Sequence, residues 1–263
     1  MSIFWVALLL LGWLLASFAY FFALRKRTMA VVDVVWTSVL GLGGLSYAVL
    51  LQATGGATPR TWLVAVVLLA WAIRLTRHLL RDRVAPAGED PRYANLARHW
   101  GASAKRNFYF LFLAQVLLAA LFLLPVTTAA GNPAPLAASD VLAGWIALLA
   151  LLGEALADRQ LARFRSDPSN QGRVCDSGLW RYSRHPNYFF EWLHWWAYAA
   201  FALGSPDAWT GLLGPLLMYI FLRHITGIPH AERSSLLRRG DAYRRYQQTT
   251  SPFFPWIPRQ PQP

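Results

Sequence analysis

Ile3 to Leu24, IFWVALLLLGWLLASFAYFFAL, runs for 22 residues without a charge. At about 1.5 Å of rise per residue, such a segment crosses the roughly 30 Å hydrocarbon layer of a bilayer as a helix. No basic region precedes it and no small-residue cleavage site follows it, so it reads as a span rather than a cleaved leader. Further apolar stretches follow at about 30–52, 60–80, 107–127, 136–160, 188–205 and 209–226. The chain of 263 residues is 56% hydrophobic and 14% aromatic, more apolar surface than a water-soluble fold of this length can hide. The expected fold is an all-α membrane protein of about seven transmembrane helices, a single domain over 1–263.

Seven spans divide the connecting segments into two sets. One set holds Arg25 to Met29, Arg81 to Arg106, the stretch around Arg163 to Arg184, and the tail from His230 onward. The other holds the N-terminus, Gln52 to Arg60, Gly131 to Asp140 and Ser205 to Ala208, with Arg60 its only basic side chain. The positive-inside rule then expects the C-terminus in the cytoplasm and the N-terminus outside. The net charge of +12 is mostly this asymmetry and suits anionic headgroups. Nucleic acid is not expected as a partner, since the basic residues are dispersed over loops without a recognition motif. Cys175 is the lone cysteine, which excludes an intrachain disulfide and a cysteine-based metal cluster.

Between the spans, Gly88-Glu89-Asp90-Pro91 reads as a turn with a short helix from Arg92 to Trp100, and Ser166 to Asn170 as a second turn. Pro252, Pro255, Pro258, Pro261 and Pro263 make the end irregular, expected along the cytoplasmic surface.

Ionisable residues inside the spans are costly and mark function. Asp33 lies near the basic end of the second span and should face a cavity or a partner; the structural alternative is a helix-start carboxylate near Lys26. Arg74, Arg77 and Arg81 form one stripe on the third span, either snorkelling or clamping phosphate. Glu154 and Asp158 are four apart on the fifth span, with Arg165 beyond. Glu191 and His194 share a face of the sixth, flanked by Trp192, Trp195 and Trp196, an interfacial belt or a polar pocket. One Glu-x-x-His pair is half of a di-iron motif, but the further carboxylates and second pair are missing, so no metal is expected. A Gly-rich dinucleotide turn after a strand is also missing.

The densest polar string is Cys175 to Glu191, CDSGLWRYSRHPNYFFE. Arg181 and Arg184 suit phosphates, Asn187 a carboxamide or base edge, and Tyr182 a ribose or a stacking surface. That string, with Asp158 to Arg165 (DRQLARFR), Leu222 to Glu232 (LRHITGIPHAE), Tyr243 and Tyr246, and Ser251 to Trp256 (SPFFPW), resembles the membrane steroid 5-alpha-reductase superfamily in its bacterial members. The resemblance covers about 140–257. A weaker similarity links Arg184 to Tyr188 to S-adenosylmethionine-dependent membrane methyltransferases of lipids and prenylated substrates.

The reductase resemblance implies a seven-helix enzyme that uses NADPH to reduce the C4–C5 double bond of a 3-oxo-4-ene steroid, with the cofactor side facing the cytoplasm of a bacterial inner membrane. Asp158, Arg165, Asn187 and Arg223 fall on its cofactor-contacting positions, with Arg181, Tyr182, Arg184, Glu191 and Tyr243 completing the set. The family's substrate-side glutamate on the second helix is matched by Asp33, and its tyrosine on the third falls near Arg74. These two are the expected catalytic residues. A protonated Asp33 would donate to the enone oxygen, with Arg74 supplying fixed charge in place of a phenol. The expected partners are a lipophilic enone and membrane lipid, with no obligate protein.

Overall fold

The computed structural model describes residues 2–86 and 88–259; Pro261 and Pro263 of the proline-rich end lie outside them. Among the described residues every named element is helical, with one isolated parallel bridge between Ser183 and Ser251. The helices are α1 (Ser2–Lys26), α2 (Val31–Ala53), α3 (Pro59–Leu79), α4 (Pro91–Trp100), α5 (Ala104–Ala130), α6 (Ala138–Ser166), α7 (Pro186–Ala202), α8 (Leu213–Ile220) and α9 (Ile228–Thr249). Among the described residues, six helical segments are long and apolar enough to cross a membrane. At 17 residues α7 is shorter than these. The expected bundle of apolar spans is therefore present as six to seven helices of a polytopic membrane protein.

The chain divides into two compact units, Met1–Leu136 with Phe201–Gly211, and Ala137–Ala200 with Leu212–Pro263. In the first, α2 packs against α1, α3 and α5 through small residues. A Cβ on Gly41 would sit 2.8 Å from the Ala72 Cβ, and one on Gly43 would sit 2.7 Å from Leu123 and 2.9 Å from Leu8. Lipid tails are as apolar as leucine, so helices associate in a membrane through such close backbone approach rather than through hydrophobic burial. Trp36, Trp71 and Phe122 stack edge to face at the same junction, with centroids 5.5 and 5.6 Å apart.

The two ends of this unit are built differently. At one end Arg60 is buried at 1% exposure, and its guanidinium donates to the carbonyls of Asn132 (3.0 Å), Ala134 (2.7 Å) and Pro135 (2.8 Å). Asn132 in turn donates to the Phe201 and Leu203 carbonyls. The single basic residue that the sequence places on that side is thus a bolt across loop backbone, not an exposed charge. Arg60→Met is expected to lower stability by about 2–3 kcal/mol, because three charge-assisted bonds are lost and the Asn132 carbonyl stays buried. An unchanged thermal midpoint in detergent would contradict that role.

The opposite end is basic. The backbone N–H of Met29 donates to Glu89 at 2.6 Å, tying the α1–α2 turn to the segment before α4. Asp90 caps α4 by accepting from Arg92 N–H at 2.9 Å, with Pro91 at the first helical position, so the expected turn and short helix form there. Burial alone would raise the Asp90 carboxyl; the hydrogen bond and charge of Arg92, with Arg83 at 3.3 Å, bring it below its usual range.

In the second unit, the loop after α6 is laced back onto that helix. Leu179 N–H donates to the Gln160 side chain at 2.9 Å, and Trp180 Nε1 to the Ala157 carbonyl at 3.0 Å. Gly178 makes this possible: its φ of +59° suits glycine, and a Cβ there would lie 2.6 Å from the Gln160 amide. Past α8 a π-helical turn, Phe221–Ile225, leads into the strongly charged α9, which breaks at Gly240 (φ 49°).

Candidate functional site

Each unit carries a polar cluster. In the first, Asp33 on the opening turn of α2 accepts a hydrogen bond from the Tyr93 hydroxyl at 2.6 Å and one from Arg92 at 2.8 Å. Arg92 also bonds Asp90 at 3.0 Å and lies 5.1 Å from the centroid of the Tyr93 ring. Tyr93 itself is buried. The partner of Asp33 is therefore this phenol and guanidinium pair on α4, not Lys26. Both Asp33 oxygens thus accept hydrogen bonds, one from a phenol and one from a guanidinium. Arg74 is half-buried on α3, while Arg77 and Arg81 of the same stripe are exposed.

In the second unit, Asn187 and Asp158 come together: the Asn187 amide donates to the Asp158 carboxylate at 3.2 Å, and its oxygen accepts from Tyr188 N–H at 3.0 Å. Both are half-buried, one at the start of α7 and the other on α6. Their edges combine a carboxylate with an amide, which suits a carboxamide or a base edge. Arg165 and Arg181 are exposed and Arg223 is half-buried. Arg181 shares an open groove of about 480 Å³ with Arg173, Arg245, Asp176, Thr249 and Thr250. Three guanidinium groups against one carboxylate give this groove the sign that a phosphate requires.

Arg184 stands apart from these. It is 8% exposed and its donors are turned inward, to Glu232 (2.7 Å from Nε), to the Gln247 carbonyl (2.9 Å) and to the Thr250 carbonyl (2.6 Å). Gln247 completes the knot by donating to Glu232 at 2.9 Å. Around it Arg184 N–H donates to the Ser251 carbonyl, Ser183 Oγ to the Phe253 carbonyl and Trp256 N–H to the Tyr182 carbonyl, all within 2.9 Å. The segment from Ser251 to Trp256 is thus tied into the fold by its backbone. Its Phe253, 1% exposed, packs on Trp192, Phe189 and Tyr219.

Tyr243 and Glu191 are likewise buried. Glu191 is accommodated by Trp195, whose Nε1 donates to it at 3.2 Å, and Trp195 is fully buried, so this tryptophan is core rather than interfacial belt. Tyr182 is 44% exposed beside Arg181.

His185 stacks on Tyr188 at 5.3 Å, and its Nε2 is 3.4 Å from Glu232. Burial holds this imidazole below its ordinary value, outweighing the carboxylate. The folded state therefore keeps His185 neutral, whereas the unfolded chain takes up a proton from about pH 6.5 downward. Stability is expected to fall as the pH drops below that value. Thermal unfolding at pH 7.5 and 5.5 measures it, and His185→Gln should flatten the difference.

A family model described as "Protein of unknown function (DUF1295)" matches residues 19–250. A Schizosaccharomyces pombe protein described as uncharacterized is 26% identical over 279 residues, covering 94% of this chain and 78% of its own length. No solved structure matches the chain.

Proposed function

The chain belongs to the DUF1295 family, and on that premise we propose that it is a membrane oxidoreductase that reduces the C4–C5 double bond of a 3-oxo-4-ene steroid or similar lipophilic enone. The observation that carries this reading is the Tyr93 hydroxyl held 2.6 Å from Asp33 beside Arg92. An enone reduced at its β carbon gathers negative charge on oxygen, and a phenol flanked by a guanidinium is a suitable donor to it once its one proton turns from Asp33 to the ketone, which leaves Asp33 paired with Arg92. Tyr93 takes the donor role in this proposal. Asp33 orients it, and Arg92 supplies the positive field that Arg74 was expected to give.

NADPH, when bound, would supply the hydride that the β carbon needs, and the α carbon would take its proton from water. The residues of the second unit suit such a cofactor. Asn187 and Asp158 offer donor and acceptor edges for a carboxamide, and Arg181, Arg173 and Arg245 offer charge for phosphates. Arg184 acts one step removed, by holding the loop and α9 that carry those groups, while Glu191 is bonded within α7 and Tyr243 packs on Tyr246 within α9. The basic side of the protein faces the cytoplasm in this reading, where the dinucleotide is found.

The test is cofactor binding to the purified full chain, read as energy transfer from tryptophan to the reduced nicotinamide. Saturable NADPH binding, weakened at least tenfold by Asn187→Leu and by Arg181→Gln, supports the assignment. Binding of S-adenosylmethionine with none of NADPH would replace it with the methyltransferase.

A further inference from the structure

Where α2 and α3 run side by side, the first unit has an open groove of about 680 Å³ on its apolar surface. Its α3 wall is one helical stripe, Leu69, Ala72, Ile73, Thr76, Leu80, ending at Arg77 and Arg81. Residues 69 to 81 rise about 18 Å along the helix, close to the roughly 15 Å depth of one bilayer leaflet. The α2 wall is short in side chain, Thr37, Ser38 and Gly41, and two of the hydroxyls are spent on each other: Thr37 and Thr76 lie 2.9 Å apart. The hollow exists because small residues face it, while Leu42 and Ile73 are 58% and 66% exposed around it.

Charge appears at one end alone. Arg77 and Arg81 are exposed, one turn apart, at the basic end of α3 where a π-helical turn, Leu80–Val84, carries the helix out. Asp82 stands 3.7 Å from Arg81 and 3.1 Å from His78, so its carboxylate is shared between a guanidinium and an imidazole. A furrow one leaflet deep, apolar along its length and cationic at the headgroup level, has the distribution of an acyl chain joined to an anion. We infer that this groove is a binding site for an anionic glycerophospholipid of the surrounding leaflet, with one acyl chain along α3 and the phosphate at Arg77 and Arg81. The site belongs to the first unit and stands independently of the redox reading.

The experiment is native mass spectrometry of the full chain in neutral detergent, titrated with phosphatidylglycerol or phosphatidylcholine of matched chains. One phosphatidylglycerol should bind at least tenfold more tightly than phosphatidylcholine. The double variant Arg77→Gln/Arg81→Gln should abolish that preference, and Arg98→Gln, an exposed arginine of α4, should keep it. A diazirine placed in the acyl chain should label peptides containing 38–42 or 69–76, and Ser38→Leu, which fills the furrow, should reduce that labelling. Equal affinity for the two lipids, a preference that survives in the double variant, or labelling confined to other helices would each overturn the site.

Discussion

Tyr93→Phe is expected to lower kcat for reduction of a 3-oxo-4-ene steroid by about 10²–10³-fold while leaving NADPH affinity unchanged. Removing one preorganised donor from a developing oxyanion costs about 2.7–4 kcal/mol, and the effect falls on the step in which charge develops rather than on binding. The substitution takes away one oxygen and keeps the buried ring against Phe108, 6.3 Å between centroids. Asp33→Asn should have a smaller effect of the same kind, because an amide oxygen still accepts from the phenol while the pairing with Arg92 at 2.8 Å is weakened. Arg74→Gln discriminates between the two donors. If it removes turnover and Tyr93→Phe does not, then Arg74 polarises the ketone and the phenol is a strut.

Arg184→Met is expected to destabilise the protein by about 2–4 kcal/mol, since it leaves the half-buried Glu232 carboxylate without its guanidinium partner and orphans two carbonyls. Arg184→Lys should not rescue it, because one ammonium cannot reproduce a fork that reaches Glu232, Gln247 and Thr250 together. The second readout is local. The 250–257 segment is held at Ser251 by the Arg184 backbone, at Phe253 by Ser183 and at Trp256 by Tyr182. Limited proteolysis should therefore cut near Phe254 in the variant well before it cuts the wild type. A variant with an unchanged thermal midpoint and an uncut tail would show that Arg184 is available to a ligand after all.

The helical spans were legible because Ile3–Leu24 is long and uncharged and its successors are long and predominantly apolar, and because Asp90-Pro91 spells a helix start. What the sequence could not supply were partners far along the chain. Tyr93 lies 60 residues from Asp33, and nothing in its immediate neighbours distinguishes it from any aromatic at a membrane edge. The expectation went to Arg74 because position along α3 was the guide, whereas the structure brings α4 to Asp33. Arg184 read as a phosphate ligand for the same reason: Glu232 stands 48 residues on, and only the fold shows that they meet. Asn187 and Asp158, 29 apart, meet in the same way, and neither residue's neighbours in sequence point to the other. Arg60 was read only as the one basic side chain of its side, and nothing local marks the three carbonyls from the 132–135 segment that close over it. The π-helical turns at Leu80–Val84 and Phe221–Ile225 have no signature in hydropathy, since one added residue per turn leaves the apolar pattern nearly intact.

The most direct test of the proposed chemistry is deuteride transfer in detergent micelles: purified protein, NADPH deuterated at C4 of the nicotinamide, and progesterone, with the steroid product read by mass spectrometry. The account predicts a saturated ketone three mass units heavier than the substrate, about two with ordinary NADPH, reflecting one transferred hydride and one proton from water. Unchanged steroid with unconsumed NADPH, alongside saturable binding of S-adenosylmethionine, would contradict it.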